Sequence, residues 1–171
     1  GSATAISSGR MHTCALLSTG AVKCWGYNNY GQLGLGDTEN VGDNEAPAAV
    51  GTVNLGAGRT ATAIASGYEH SCAILDNGAL RCWGRNDSGQ LGLGNTNTLG
   101  DNESVSSVAP VDLGAGRTAV SVSLGYDTTC VVLDNGATRC WGSNHSAQLG
   151  LGGEVTLLPG ELPAPPDDEN Y

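Results

Sequence analysis

The chain has 171 residues, with seven Lys+Arg against seventeen Asp+Glu and a formal charge of −10. That balance argues against nucleic acid and anionic membrane as main partners, because both are bound through basic surface. No apolar run approaches the ~20 residues of a membrane span, and six cysteines in three pairs point to an oxidising location: extracellular, periplasmic or cell surface.

The first element is the run Ala-Thr-Ala-Ile-Ser at 3–7, short and partly β-branched, which reads as a strand running toward Gly9. It leads into HTCALLSTGAVKCWGYNNYGQLGLG, from His12 to Gly36, and this stretch organises the chain. It returns at 70–94 as HSCAILDNGALRCWGRNDSGQLGLG and at 128–152 as TTCVVLDNGATRCWGSNHSAQLGLG. Cys14, Cys72 and Cys130 are 58 residues apart, as are Trp25, Trp83 and Trp141. The opening strand has copies at 61–65 and 119–124. A fixed long period is the mark of a repeat architecture.

Each repeat contains a hairpin. In the second copy, 72–75 and 79–82 flank Asp76-Asn77-Gly78, a three-residue loop with glycine last that suits a type I turn closed by a left-handed residue. If Leu75 faces Ala79, then Cys72 faces Cys82 at a non-hydrogen-bonded position, where side chains approach most closely. The same count pairs Cys14 with Cys24 and Cys130 with Cys140, so each unit carries its own candidate disulfide. Two alternatives stay open. Zinc ligands are usually closer in sequence, although His12 and His70 lie two residues before a cysteine; Thr128 breaks that pattern. Reduced pairs fit a cytosolic chain.

After the hairpin, Trp-Gly opens a polar loop that differs between units: Tyr27, Asn28, Asn29 and Tyr30; Arg85, Asn86 and Asp87; Asn144 and His145. Then comes Gln-Leu-Gly-Leu-Gly. The first two units continue through Gly-Asp-Asn-Glu at 42–45 and 100–103 into expected fourth strands at 48–55 and 108–113. In the third unit 153–158 is the expected equivalent, followed by a proline-rich acidic end that reads as extended or disordered. The units are therefore 3–60, 61–118 and 119–164, with a tail at 165–171. No window keeps a 3.6-residue period. Four short strands per unit fit an all-β fold of propeller blades.

The pattern Gly-x-x-His-Ser/Thr-x-Ala-Leu/Ile, then Trp-Gly-x-Asn-x-x-Gly-Gln-Leu-Gly-x-Gly, resembles the repeat of the regulator of chromosome condensation family across nearly the whole chain to about residue 152. The resemblance implies β-propeller blades, commonly seven of four strands each. The family's founder is a guanine-nucleotide exchange factor that binds chromatin. The acidic charge and paired cysteines depart from that role. The Cys…Cys-Trp-Gly variant is more similar to repeats of exported bacterial proteins, whose roles are mostly binding. Thr128 and Ala147 depart from the His and Gly of the other two units.

Residues repeated in every unit serve the blade. Trp25, Trp83 and Trp141 are expected between neighbouring blades, and Gln32, Gln90 and Gln148 on loop backbone. His12 and His70 share one repeat position, which favours a structural hydrogen bond over catalysis; His145 lies in the variable loop. The oxygens of Asp37, Asp43, Glu45, Asp101 and Glu103 are of the type that binds calcium, but their spacing does not match an EF-hand, and no metal site is assigned. Nucleophile motifs, phosphate loops and dinucleotide fingerprints are absent from the sequence, so no catalytic residue and no cofactor is assigned. Function is expected where the copies differ, in the aromatic and amide-rich loop positions named above. The expected function is a non-enzymatic binding or scaffold module on a secreted or cell-surface protein, contacting an unknown protein partner or a glycan. The alternatives are an enzyme or metal-dependent site on the propeller face, and an exchange factor or chromatin adaptor. Three blades leave two faces open, so self-association into a homodimeric six-bladed ring is also expected.

Overall fold

The computed structural model describes residues 1–151. The expected strand at 153–158 and the acidic tail lie outside the described residues. Among the described residues nine strands form three antiparallel sheets of three. The first holds β1 (Ala3–Ser8), β2 (His12–Leu17) and β3 (Val22–Gly26); the second β4 (Ala61–Ser66), β5 (His70–Leu75) and β6 (Leu80–Gly84). The third holds β7 (Ala119–Leu124), β8 (Thr128–Leu133) and β9 (Thr138–Gly142). Each sheet is a meander with its middle strand central. No helix among the described residues is long and apolar enough to cross a membrane.

The hairpin turn sets the register of each unit. Leu75 N–H donates to Ala79 O at 2.8 Å and Gly78 N–H to Leu75 O at 2.9 Å, with Gly78 at φ 76°. A side chain would be strained at that φ, and its Cβ would lie 2.5 Å from Cβ of Thr118, just before the strand β7. Counting back from this turn places Cys72 opposite Cys82, with Cys14 opposite Cys24 and Cys130 opposite Cys140. All three pairs are disulfide-bonded, their Cα atoms 4.0–4.1 Å apart. The four cysteines of the first two units are buried, and the third pair is half-buried.

A continuous fourth strand does not form in the first two units. Val41 and Leu99 make isolated bridges to Gly26 and Gly84, and Val53 and Val111 each donate one hydrogen bond to Val22 and Leu80. Between these contacts the chain leaves the edge in a loop containing a 3-10 turn, Pro47–Ala49 or Val105–Ser107. Pro47 and Pro110 lack an N–H to continue a ladder. The side chains of Lys23 and Arg81 cover the gap, donating to Ala48 O and Val50 O, and to Val105 O and Val108 O.

The sheets stack in chain order, β1 and β2 against β4, then β4 and β5 against β7. The middle strand β5 is buried at all six positions, as a sheet covered on both faces requires. Trp83, Leu33, Leu91 and Val105 are among the fully buried side chains of the same core. The two outer faces are different. Trp25 is half-buried where Trp83 and Trp141 are 0% and 3% exposed, and Ile6 is 67% exposed where Ile64 and Val122 are half-buried.

Candidate protein-binding rim

A polar relay joins consecutive sheets and sets the positions of the repeated residues. Gln32 O accepts the Trp83 indole N–H at 3.0 Å and the Ser71 hydroxyl at 3.0 Å. Because that hydroxyl donates to Gln32, it accepts from His12, whose Nε2 lies 2.8 Å away and therefore carries the proton. One unit later Gln90 O accepts Trp141 at 3.0 Å and Thr129 at 2.7 Å, and His70 Nε2 lies 3.1 Å from the Thr129 hydroxyl. Burial pushes His12 down to about 4 and His70 to about 3, His12 adding to the effect on His70. Neither Nδ1 has a partner among the described residues, in keeping with two neutral rings. These histidines hold blades together.

The glutamine side chains hold loops. Gln32, Gln90 and Gln148 Oε1 accept the backbone N–H of Tyr30, Ser88 and Ser146 at 2.8–2.9 Å. Gln90 Nε2 also donates to Asp127 in the next unit at 3.1 Å, whereas Gln32 Nε2 has no partner among the described residues. Position 69, equivalent to 127, holds a glutamate that turns instead to Arg85 and Arg10.

The same geometry removes three residues from the expected contact set. Asn28, Asn86 and Asn144 are 0%, 0% and 2% exposed. Their Oδ1 atoms accept the N–H of Leu33, Leu91 and Leu149 at 2.9–3.0 Å. Asn28 Nδ2 donates to Asp37 and Asn86 Nδ2 to Asn95 and Asn97. These amides face inward because the loop has more backbone groups to satisfy than it can pair with itself. The remaining expected positions stay at the surface: Tyr27, Tyr30 and Arg85 half-buried, Asn29, Asp87 and His145 exposed.

The acidic loops are used locally. Glu45 and Glu103 accept from Gly42 and Gly100 N–H, and Asp37 from Asn28 and Glu39. Among the described residues no group of three or more His, Cys, Asp or Glu is placed to hold a metal ion.

The surface positions have neighbours that loop reading missed. The turns between the first two strands of each unit lie beside the Trp-Gly loops. Tyr27 N–H donates to Met11 O, Arg85 to Glu69 O and Ser143 to Asp127 O, at 2.8–2.9 Å. Those turns carry Arg10-Met11, Tyr68-Glu69 and Tyr126-Asp127, a different pair in every unit. Arg10 Cζ sits 4.4 Å above the Tyr68 ring, and Tyr68 stacks on Tyr126 with centroids 3.7 Å apart. Arg85 Cζ lies 5.3 Å over Tyr30, with its Nη1 3.0 Å from Glu69 and its Nε 2.8 Å from Asp87. Met11 and Tyr126 are 53% and 59% exposed. Variation between copies, the signal used for the Trp-Gly loops, marks these turns too.

Two models of the regulator of chromosome condensation (RCC1) repeat match the chain, one over residues 3–32, 61–90 and 119–148, the other over 19–74 and 77–132. The chain belongs to the RCC1 repeat family. Among RCC1-type relatives it is 34% identical over 161 residues to the ultraviolet-B receptor UVR8 of Arabidopsis thaliana, covering 93% of this chain and 34% of the receptor. It is also 34% identical to the secretion-regulating guanine nucleotide exchange factor of Bos taurus, over 80% of this chain and 27% of that protein. Yeast RCC1 (Prp20), solved bound to Kap60, superposes with a TM-score of 0.69 and 28% identity, over 92% of this chain and 36% of that one. The chain thus spans about a third or less of these relatives' lengths. The RCC1 assignment makes the three sheets β-propeller blades.

Proposed function

We propose that the chain is a disulfide-stapled RCC1-type module of a secreted or cell-surface protein that binds a protein partner through the rim formed by its β1–β2-type turns and Trp-Gly loops. The observation that carries this reading is the contrast within the repeat. A fixed set of His, Ser/Thr, Gln, Asn and Trp is consumed in holding blades and loops together. A varied set of Arg10, Met11, Tyr27, Tyr30, Tyr68, Arg85, Asp87 and Tyr126 collects on one edge with exposed surface. Tyrosine, arginine and methionine are the residues enriched where proteins meet. The three disulfides support an oxidising location. A bound glycan would use the same rings, and catalysis has no residues assigned to it.

Replacing Tyr27 and Tyr30 together by Ala tests the rim. Both are half-buried loop residues, so the thermal transition is expected to fall by the equivalent of about 1 kcal/mol or less. Binding of a natural partner is expected to weaken by about 2 kcal/mol or more. An unweakened partner, or a collapse of the melting temperature, counts against the rim.

Self-association is the second part of the proposal. A head-to-tail junction between blade 3 of one copy and blade 1 of another offers the Trp25 indole and Thr13 hydroxyl to the Gln148 carbonyl, as Trp83 and Ser71 meet Gln32. Two features weaken it: Thr128 replaces the relay histidine, and Ala147 replaces a glycine. At Gly31 a Cβ would meet the Gly100 carbonyl carbon of the next unit at 2.3 Å. The expected dimer is therefore weak, forming at high micromolar concentration and separating on dilution. Sedimentation velocity across a concentration series reads this directly. A single species at the 17.2 kDa chain mass throughout refutes the dimer.

A further inference from the structure

The rim holds a stack that follows the blade order: Arg10 from blade 1 on Tyr68 from blade 2, and Tyr68 on Tyr126 from blade 3. Each rung is covered by the next, and the stack ends at Tyr126, which is 59% exposed. Both guanidinium groups of this edge already lie over a tyrosine, Arg10 over Tyr68 and Arg85 over Tyr30. Tyr126, the last ring of the stack, has no cation within that reach among the described residues.

Charge on the same edge is unbalanced. Glu69, Asp87 and Asp127 surround Arg85, and Arg10 lies 3.9 Å from Glu69, so three carboxylates face two guanidinium groups. Glu69 and Asp87 are committed to those two cations. Among the described residues the Asp127 carboxylate accepts one hydrogen bond, from the neutral amide of Gln90 at 3.1 Å. Burial pushes the Asp127 carboxyl up, Arg85 draws it down, and the neighbouring charges of Glu69 and Asp87 add to the rise. An added positive charge here relieves that repulsion. The whole chain carries −10, a field that draws basic partners in and repels acidic ones.

We propose that the open face of Tyr126, with Asp127 beside it, seats an arginine or lysine side chain presented by a basic segment of a partner protein. This rests on the rim as the binding surface and names the chemistry it recognises. The ring supplies the cation–π contact that Arg10 and Arg85 already make on Tyr68 and Tyr30, and the carboxylate supplies the counter-charge.

The test uses the whole chain and a fluorescein-labelled nonapeptide with three arginines among glycines and serines. Controls are the same peptide with lysine or with glutamine in their place. Fluorescence anisotropy at low salt is expected to show binding of the arginine and lysine peptides that weakens as salt rises, and no binding of the glutamine peptide. Amide NMR shifts are expected at 126, 127 and 68. Tyr126→Ala is expected to weaken the arginine peptide about tenfold, and Tyr126→Phe to retain it, because the ring face is kept. Asp127→Asn is expected to weaken it severalfold. Equal binding of the glutamine peptide, unchanged affinity of Tyr126→Ala, or shifts confined to another surface overturns the inference. If the peptide fails while the Tyr27, Tyr30 variant still loses its natural partner, the basic-segment inference falls and the rim remains. If both fail, the rim falls with it.

Discussion

Full reduction is expected to unfold the chain under conditions where the oxidised protein is folded. Each disulfide joins residues ten apart and in the chain-entropy model contributes roughly 3 kcal/mol. The three lie in separate units, so their contributions add to roughly 9 kcal/mol against a total that in single domains is about 5–15. Burial orders the loss. The half-buried Cys130–Cys140 pair meets reductant first, and Cys72–Cys82, at 0% and 1% exposure, last. Thiol titration of the denatured, unreduced protein is expected to find no free cysteine. Thermal unfolding with and without reductant then measures the contribution. Six free thiols, or an unchanged transition after complete reduction, contradicts it.

The second large effect is acid lability, and its sign follows from the relay. His12 and His70 are held neutral, with folded-state values of about 4 and 3 against 6.5 when exposed. The unfolded chain therefore takes up protons first as pH falls. The stabilisation is complete above pH 6.5 and is lost progressively as pH drops toward the folded-state values. A shift of that size for His12 corresponds to on the order of 3 kcal/mol, and His70 acts in the same direction. The raised Asp127 acts oppositely but is half-exposed and correspondingly weak. Urea unfolding between pH 7 and pH 5, above the main carboxylate range, isolates the histidines. His70→Gln is expected to be less stable at pH 7 yet to lose less on acidification. Equal stability of the native protein at pH 7 and 5 excludes the relay as its source.

The hairpins were legible in the sequence because a three-residue loop ending in glycine leaves one register, and that register fixes which cysteines face each other. The blade-to-blade role of Trp83 and Trp141 was legible from their repetition. The same rule applied consistently excludes Asn28, Asn86 and Asn144 from the contact set, since asparagine recurs there in all three units. An amide in a polar loop gives no other sign of whether it faces water or backbone. The fourth strands misled for a different reason. Apolar residues at 50–55 and 108–113 do reach the sheet edge, at Val53 and Val111, but prolines and side-chain donors replace the ladder between. Tyr68 and Tyr126 escaped because a ring stacked across two blades joins residues 58 apart, which no local window contains.

The relay also has a direction in time. In both junctions the glutamine carbonyl that accepts is the earlier residue: Gln32 precedes Ser71 by 39 positions and Trp83 by 51, and Gln90 stands in the same relation to Thr129 and Trp141. A chain made from its amino end therefore presents a finished loop carbonyl before the indole and hydroxyl that need it have been synthesised. Each blade emerges onto a template already in place. The indole and hydroxyl donors, costly to bury unpaired, never wait for that carbonyl, whereas the His12 and His70 ring N–H groups precede their acceptors Ser71 and Thr129. Vectorial synthesis and the bonds onto the glutamine carbonyls run the same way, and a circular permutation beginning between Gln32 and Ser71 would reverse that order at one junction.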